Sequence, residues 1–250
     1  MMVGKHYSEI NIMKSNLPPR VEQNIESQVR VAARLKELAA VGGSRPVPFV
    51  TISRQFGCEA INLAEMLAKE FDTAEKLEPG SWQVYNRKLI EAMADQKYSF
   101  DQLMAALDSR ARGAIEEFVE TLVGQISDLK LLHKLIQTLR ATATLGRCIV
   151  IGRGGAIVTR DLPGGIHVRL VASEDVRLKG LVERYGWTES KAREEIKEQD
   201  TSRQTFYKKY LHRDSNDPEI YDLVLNSGRL TQSEMVGQIT TLFQSRRLLP

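Results

Sequence analysis

VPFVTISRQFGCEAINLAEMLA, residues 47–68, is the stretch whose reading decides the fold. It opens on an apolar, β-prone run, Val47, Phe49, Val50 and Ile52, with Pro46 and Pro48 at its start. A short turn follows from Ser53 to Gly57, and then Ile61, Leu63, Ala64, Leu67 and Ala68 take up the spacing of one buried helix face. Strand, tight turn and helix make half of a βα unit. The first amides of such a helix are unpaired donors at the positive end of its dipole, and they attract anions. Arg54 adds a charged donor beside them, so Ser53, Arg54, Gln55, Phe56, Gly57 and Cys58 are expected to hold phosphate. A full phosphate loop reads G-x-x-x-x-G-K-[ST], with the lysine on the β- and γ-phosphates. Only Gly57 of that pattern is present, so the turn alone leaves an ordinary βα connection open.

Working outward, 250 residues accommodate one large domain or two small ones, and 42% hydrophobic residues suffice for a core. A net charge of +3 is close to balance and argues against a nucleic-acid partner, while the basic cluster from Arg203 to Arg213 suits a small polyanion. Cys58 and Cys148 have neither metal-site nor disulfide-framework spacing, which suggests a reducing compartment; the four histidines are scattered, so no metal site is expected. The N-terminus lacks a signal peptide's apolar core, and no apolar run approaches about 18 residues. A soluble, cytoplasmic protein without membrane association is the expectation.

Residues 1–45 read as an extension with one amphipathic helix, Val21 to Val41, ended by Gly42-Gly43. Its apolar face suits packing on the core, with self-association as the alternative. From residue 46 onward, Trp82 to Tyr85 reads as a short strand or turn and Arg87 to Ala94 as a helix. Residues 100–145 read as two or three helices broken near Gly113 and Gly124–Asp128, forming one wall of a cleft. Cys148-Ile149-Val150-Ile151, flanked by glycines, is a buried parallel strand leading into Gly152-Arg153-Gly154-Gly155 and a helical Ala156–Thr159. Ile166 to Val171 is the next strand. Ser173 caps a helix to about Tyr185, Thr188 caps another to about Tyr210, Tyr221 to Asn226 is the last strand, and Thr231 caps a final helix. This alternation predicts an α/β fold, a parallel β-sheet flanked by helices. Ligands in such sheets sit at the strands' carboxyl ends, where both glycine-bearing turns lie.

Several stretches together resemble the cytidylate kinase-like family of P-loop nucleoside monophosphate kinases. They are Ile52 to Gly57, Val150 to Gly154, Asp200-Thr201-Ser202-Arg203, Tyr207-Lys208-Lys209-Tyr210 and Tyr221 to Asn226, in the family's order, between about Val47 and Phe243. The resemblance implies one such domain over 46–250, with a helical insertion at about 86–145 and a helical lid at about 186–215. It implies transfer of the γ-phosphoryl group of Mg-ATP to CMP, dCMP or a related small acceptor. Arg54, Arg153 and Arg203 would then be the catalytic arginines. Asn86, Arg87, Gly152, Arg153 and Gly154 would bind the acceptor, and Asp200, Arg203, Lys208 and Lys209 would belong to the lid.

Five positions depart from the family pattern. Gly57-Cys58-Glu59-Ala60-Ile61 stands where glycine-serine-glycine-glycine-arginine is common, so an expected cation is Ile61 and Glu59 brings a negative charge. Asn86 stands where an aspartate is usual and cannot accept a proton as a base. These departures motivate a second reading, a nucleotide-binding pseudokinase or sensor module without phosphotransfer; a purely structural protein is a third. Individually, Arg54, Arg153, Arg203, Lys208 and Lys209 also admit reading as surface or ion-paired charges. Cys58 is either a low-pKa thiol at a helix start or a structural residue, and Asp217 and Asp222 are expected to hold backbone.

Overall fold

In the computed structural model, which describes residues 46–95, 97–123 and 130–249, five parallel strands form one sheet. The helix expected at Val21 to Val41, its possible role in self-association and the break at Gly124–Asp128 lie outside the described residues. The strands are β1 (Phe49–Arg54), β2 (Gln83–Asn86), β3 (Cys148–Ile151), β4 (Gly165–Val171) and β5 (Leu223–Asn226), in spatial order β2-β3-β1-β4-β5. The helices are α1 (Ala60–Ala74), α2 (Arg87–Asp95), α3 (Lys97–Ala105), α4 (Ser109–Val123), α5 (Lys130–Leu145), α6 (Gly155–Val158), α7 (Glu174–Tyr185), α8 (Glu189–Leu211) and α9 (Gln232–Ser245). The α/β fold with a helical insertion is the one the alternating pattern predicts. Among the described residues no helix is long and apolar enough to cross a membrane.

Side chains alternate across the sheet with the two-residue period of a strand. Val50 and Ile52 of β1, Ile149 and Ile151 of β3, and Ile166, Val168 and Leu170 of β4 face a core completed by α1 and α9. Phe49, Cys148 and Val150 face the opposite core, built from α2, α4 and α5. Arg140 of α5 is buried in that second layer. It donates to Val158 O at 2.6 Å, forms a two-pronged pair with Asp161 at 2.7 Å and lies over the Phe118 ring. A planar guanidinium suits both contacts at once, and it ties the insertion to α6.

Local chemistry explains the element ends. The Thr188 hydroxyl accepts from Lys191 N, and Thr231 with Glu234 completes a reciprocal capping box. Ser173 occupies its cap position without a side-chain hydrogen bond; Glu174 and Asp175 in the first turn complement the dipole there instead. Gly113 does not break a helix, because it lies inside α4. The break falls earlier, where Asp108 Oδ1 accepts from Ala111 N at 2.7 Å. The last strand begins at Leu223 rather than Tyr221; just before it, Asp222 N donates to His167 O at 2.8 Å and its carboxylate accepts from His167 N at 2.7 Å.

His167 lies on β4 beside β1, where its Nδ1 meets the Thr51 hydroxyl at 2.8 Å. Burial drives its pKa down to about 4 from 6.5, Asp222 opposing and Arg160 and Arg246 adding to the shift. The unfolded chain therefore takes up this proton near pH 6.5 and the folded one only near pH 4. Stability from this group is complete above pH 6.5 and is lost as pH falls toward 4, by up to about 1.4 kcal/mol per pH unit. Urea midpoints of wild type and His167→Asn across that window check this: the variant's acid slope should be the flatter, and equal slopes would refute it.

Candidate active site

The turn after β1 does not offer a row of free amides. Gln55 N donates to Leu170 O at 3.1 Å, Cys58 N to Gln55 O at 3.3 Å and Ala60 N to Cys58 O at 3.0 Å. Phe56 N is taken by Asp200 Oδ1 at 2.8 Å. The expected amide cradle from Ser53 to Ala60 is thus narrowed. The Gly57 and Glu59 amides make no hydrogen bond among the described residues, and no side chain caps the start of α1. The positive end of α1 stays open to solvent. Gly57 has φ +93°, and a Cβ there would stand 2.9 Å from Arg177 Cβ, so only glycine lets the turn pass so close to α7.

Asp200 of α8 holds the turn. Its carboxylate accepts from Phe56 N, from Arg177 at 2.7 Å and from Arg203 at 3.1 Å. Arg177 is buried and donates further to Phe56 O at 3.0 Å and Ala172 O at 3.2 Å. Gln55 Oε1 accepts from Ala172 N at 2.9 Å. Two turns further along the same face of α8, the Tyr207 hydroxyl accepts from Gly154 N and meets Ser53 Oγ, both at 3.0 Å. One helix is therefore bonded to both glycine-bearing turns. Gly154, at φ +75°, leaves no room for a Cβ against Leu211 of the same helix.

Between these bonds lies a polar pocket of about 110 Å³, lined by Arg54, Arg153, Arg169 and Arg203 with Ser53, Gln204 and Asn216. Burial lowers the Arg54 pKa to about 10, with Arg203 and Arg153 adding repulsion. Arg153 and Arg203 are also lowered, first by burial; Asp200 opposes the shift at Arg203. The Arg153 guanidinium donates to Ser202 Oγ at 3.1 Å, and Arg169 donates to Asn216 Oδ1 at 2.7 Å and to the Tyr221 hydroxyl at 3.3 Å. Asp200 is the one carboxylate in this lining, so positive charge prevails. Such a cluster in a partly dehydrated pocket is suited to a polyanion.

A second pocket of about 160 Å³ opens on the other side of Gly152, Arg153 and Gly154, between α2, α5 and α8. Arg87 and Glu91 lie at its edge, paired at 2.6 Å. A third, of about 300 Å³, covers the outer side of the turn from Arg54 to Asn62 and reaches Leu181, Arg184 and Tyr185 of α7. There Glu59 is ion-paired with Arg184, which also donates to Gly57 O at 2.9 Å, and Glu59 accepts from Asn62 Nδ2 at 3.0 Å. Glu59 is thus engaged by Arg184 and Asn62, and among the described residues no group of three potential metal ligands is gathered. Ile61 is exposed.

The structure thus gathers Ser53, Arg54, Gln55, Gly152, Arg153, Asp200 and Arg203 around one pocket, with Arg87 and Gly154 on the next. It does not bring in Asn86, Lys208 or Lys209. Asn86 Oδ1 caps α2 by accepting from Leu89 N at 3.0 Å. Lys208 and Lys209 are exposed, and Lys209 lies over the Tyr210 ring. The Cys58 thiol is raised by burial, which removes the low-pKa alternative. Asp217 and Asp222 hold backbone as expected, accepting from Glu219 N and His167 N. Sequence reasoning missed Arg169, Arg177, Arg184 and Asn216. The available signal for Arg169 was an arginine inside a strand, in register with Ser53.

A parallel sheet in the order β2-β3-β1-β4-β5, with glycine-bearing turns at its carboxyl ends and a helix bridging them, defines a P-loop NTPase-like fold of the nucleoside monophosphate kinase kind. The model of the cytidylate kinase-like family matches residues 49–229, and the chain belongs to that family. A crystal structure of an uncharacterized protein from Eubacterium ventriosum superposes with a TM-score of 0.61 at 18% identity, over 80% of this chain and 99% of that one. A shikimate kinase from Bacteroides thetaiotaomicron aligns at a TM-score of 0.42 and 13% identity, over 79% and 98% of the two chains. A uronate isomerase from Corynebacterium glutamicum is 25% identical over 95 residues, 38% of this chain; the chain spans 18% of that relative's length.

Asp200→Asn should leave the buried Arg177 without its counter-charge. Because Asp200 is partly exposed, the cost should fall at about 2–3 kcal/mol, below that of breaking a fully buried pair. Exposed Lys209→Ala should stay within about 0.5 kcal/mol of wild type. Urea unfolding compares the three proteins, and an Asp200→Asn protein as stable as wild type would refute this role.

Proposed function

We propose that this protein is an ATP-dependent phosphotransferase that moves the γ-phosphoryl group onto a small acceptor already bearing an ionised phosphate, with CMP and dCMP as the acceptors the family membership suggests. The observation that carries this reading is the arginine-lined pocket between the turn after β1 and the pocket beside Gly152 to Gly154. Phosphoryl transfer asks little covalent chemistry of a protein; it asks for alignment and for positive charge around the migrating group. In this reading Arg54 and Arg203 face the γ-phosphate, Arg153 holds the acceptor phosphate, and the open start of α1 takes the remaining donor phosphates. Magnesium enters as the counter-ion of the nucleotide.

The carboxylates support a phosphate acceptor over an alcohol. Asp200 is held by Arg177 and Arg203, and Glu91 by Arg87. Both carboxylates face guanidinium groups, Glu91 in an exposed pair and Asp200 in a partly buried one. An acceptor phosphate is mostly dianionic at neutral pH, its second pKa being about 6, and brings no proton to remove. Its oxygen attacks the γ-phosphorus, the bond to the β–γ bridging oxygen breaks, and ADP leaves with that electron pair. Docking of α8 over both turns excludes water, which limits simple hydrolysis.

A second reading, a nucleotide-binding module without transfer, draws on the Glu59–Arg184 pair and the committed turn amides. A coupled assay of ADP release with CMP, dCMP and other monophosphates separates the two. Acceptor-dependent turnover supports the kinase; tight ATP binding with no turnover supports the module. If transfer occurs, Arg54→Ala should lower turnover by roughly 100-fold or more, the scale of losing a preorganised charge-stabilising donor. Ile61→Arg should be tolerated, since that side chain is exposed, and should not reduce activity. Steady-state kinetics with folding checked by circular dichroism measure both; unchanged turnover in folded Arg54→Ala would place the donor phosphates elsewhere.

A further inference from the structure

The pocket beside Gly152 to Gly154 is divided in character. Its charged lining groups, Arg153, Arg87 and Glu91, lie close enough to act on one another, and Arg153 belongs to the glycine turn. The rest of its described lining is hydrocarbon, including Ile90, Leu132, Leu135, Ile136, Leu139 and Phe206. The backbone of Val150 and Ile151 at its floor is already in the ladders to β1 and β2. Asn86, the amide that the sequence offered for contact with an acceptor, uses its Oδ1 to cap α2 and is not among the residues lining the pocket.

A pyrimidine ring carries a carbonyl, a ring nitrogen and an amino group on its edge. Buried against aliphatic walls without partners, these lose their hydration and gain nothing in return. An unsubstituted hydrocarbon body loses nothing there. The pocket holds about 160 Å³, and a cavity of roughly 150 Å³ lined by Leu, Ile and Phe is known to stay dry and to accept a six-carbon ring. Arg153 among the charged groups fits an anionic head group, and a guanidinium fork matches phosphate in particular.

We propose that the acceptor pocket recognises an amphiphilic monophosphate, a compact aliphatic or aromatic hydrocarbon esterified to one phosphate, in preference to a nucleoside monophosphate. The turnover part of this proposal rests on the phosphotransferase reading; the binding part does not. Transfer to such an acceptor forms one new P–O bond at the acceptor's phosphate, breaks the β–γ bond of ATP, and yields ADP and an organic diphosphate.

The full chain is titrated by calorimetry with isoamyl monophosphate, benzyl monophosphate and CMP, and each is then offered with Mg-ATP in the ADP-release assay. The apolar phosphates should bind at least tenfold more tightly than CMP. Leu135→Trp, which fills the hydrocarbon part, should remove that preference while leaving ATP affinity within twofold of wild type. Should that variant fail to fold, Leu132→Gln, which places an amide in the wall, should narrow the preference by at least threefold. CMP binding as tightly as the apolar phosphates, or a preference untouched by the folded pocket variant, would overturn the proposal. Preferential binding with no ADP release from any acceptor would uphold the pocket assignment and remove the kinase reading, so the two failures are distinct.

Discussion

The Asp200 carboxylate accepts from three donors that belong to three parts of the chain: the Phe56 amide in the turn after β1, Arg177 on α7 and Arg203 on its own helix. Much of the site depends on this tie. A buried arginine is costly unless its charge is answered and its donors are used. Arg177 meets both needs, and in doing so it fixes the turn through Phe56 O as well as through Asp200. The other bond of α8, Tyr207 to Gly154 N and Ser53, positions the second turn. β1 and β3 are already paired neighbours in the sheet, and α8 ties together the turns that follow them.

This arrangement explains what was legible in the sequence. The strands of the central sheet announce themselves because buried parallel strands are nearly all apolar, as in Cys148 to Ile151. Caps at Thr188 and Thr231 are local chemistry, readable from a few residues. The arginines of the glycine turns were readable because each lies next to its turn in the chain. Arg177, Arg184 and Asn216 were not, since their roles arise from contacts across long sequence separations, such as Arg177 to Phe56 and Arg184 to Glu59. Arg169 sits between these cases: alternation along β4 marks His167 and Arg169 as sharing a face, but only the pairing with β1 brings Arg169 level with Ser53. Asn86 shows the opposite failure, a motif position whose side chain serves the backbone of α2. Gly113 shows that glycine within a helical pattern costs stability without ending the helix.

Charge placement follows from the altered loop. A phosphate loop of the usual kind supplies many amides from one short segment. Here Gln55, Phe56, Cys58 and Ala60 direct their amides inward, so the loop itself contributes fewer donors. Positive charge comes instead from Arg54 of β1, Arg153 after β3, Arg169 of β4 and Arg203 of α8. Burial and mutual repulsion hold Arg54 at a pKa near 10, still well above neutrality, so the cluster remains cationic at pH 7. Side-chain cations drawn from separate elements tolerate an exposed Ile61 where the family pattern has arginine.

A site built this way differs from a preformed loop in one mechanical respect. Arg203 and Tyr207 both belong to α8, so one helix places a cation at the pocket and bonds both the Ser53 and the Gly154 turns. The repulsion among the four arginines opposes docking, while Asp200 and Tyr207 favour it. A polyanion between the turns removes the repulsion, and so favours the docked arrangement by its differential affinity for that state. The helix that ties the two turns together is in this way also the element that supplies Arg203 to the arginine cluster.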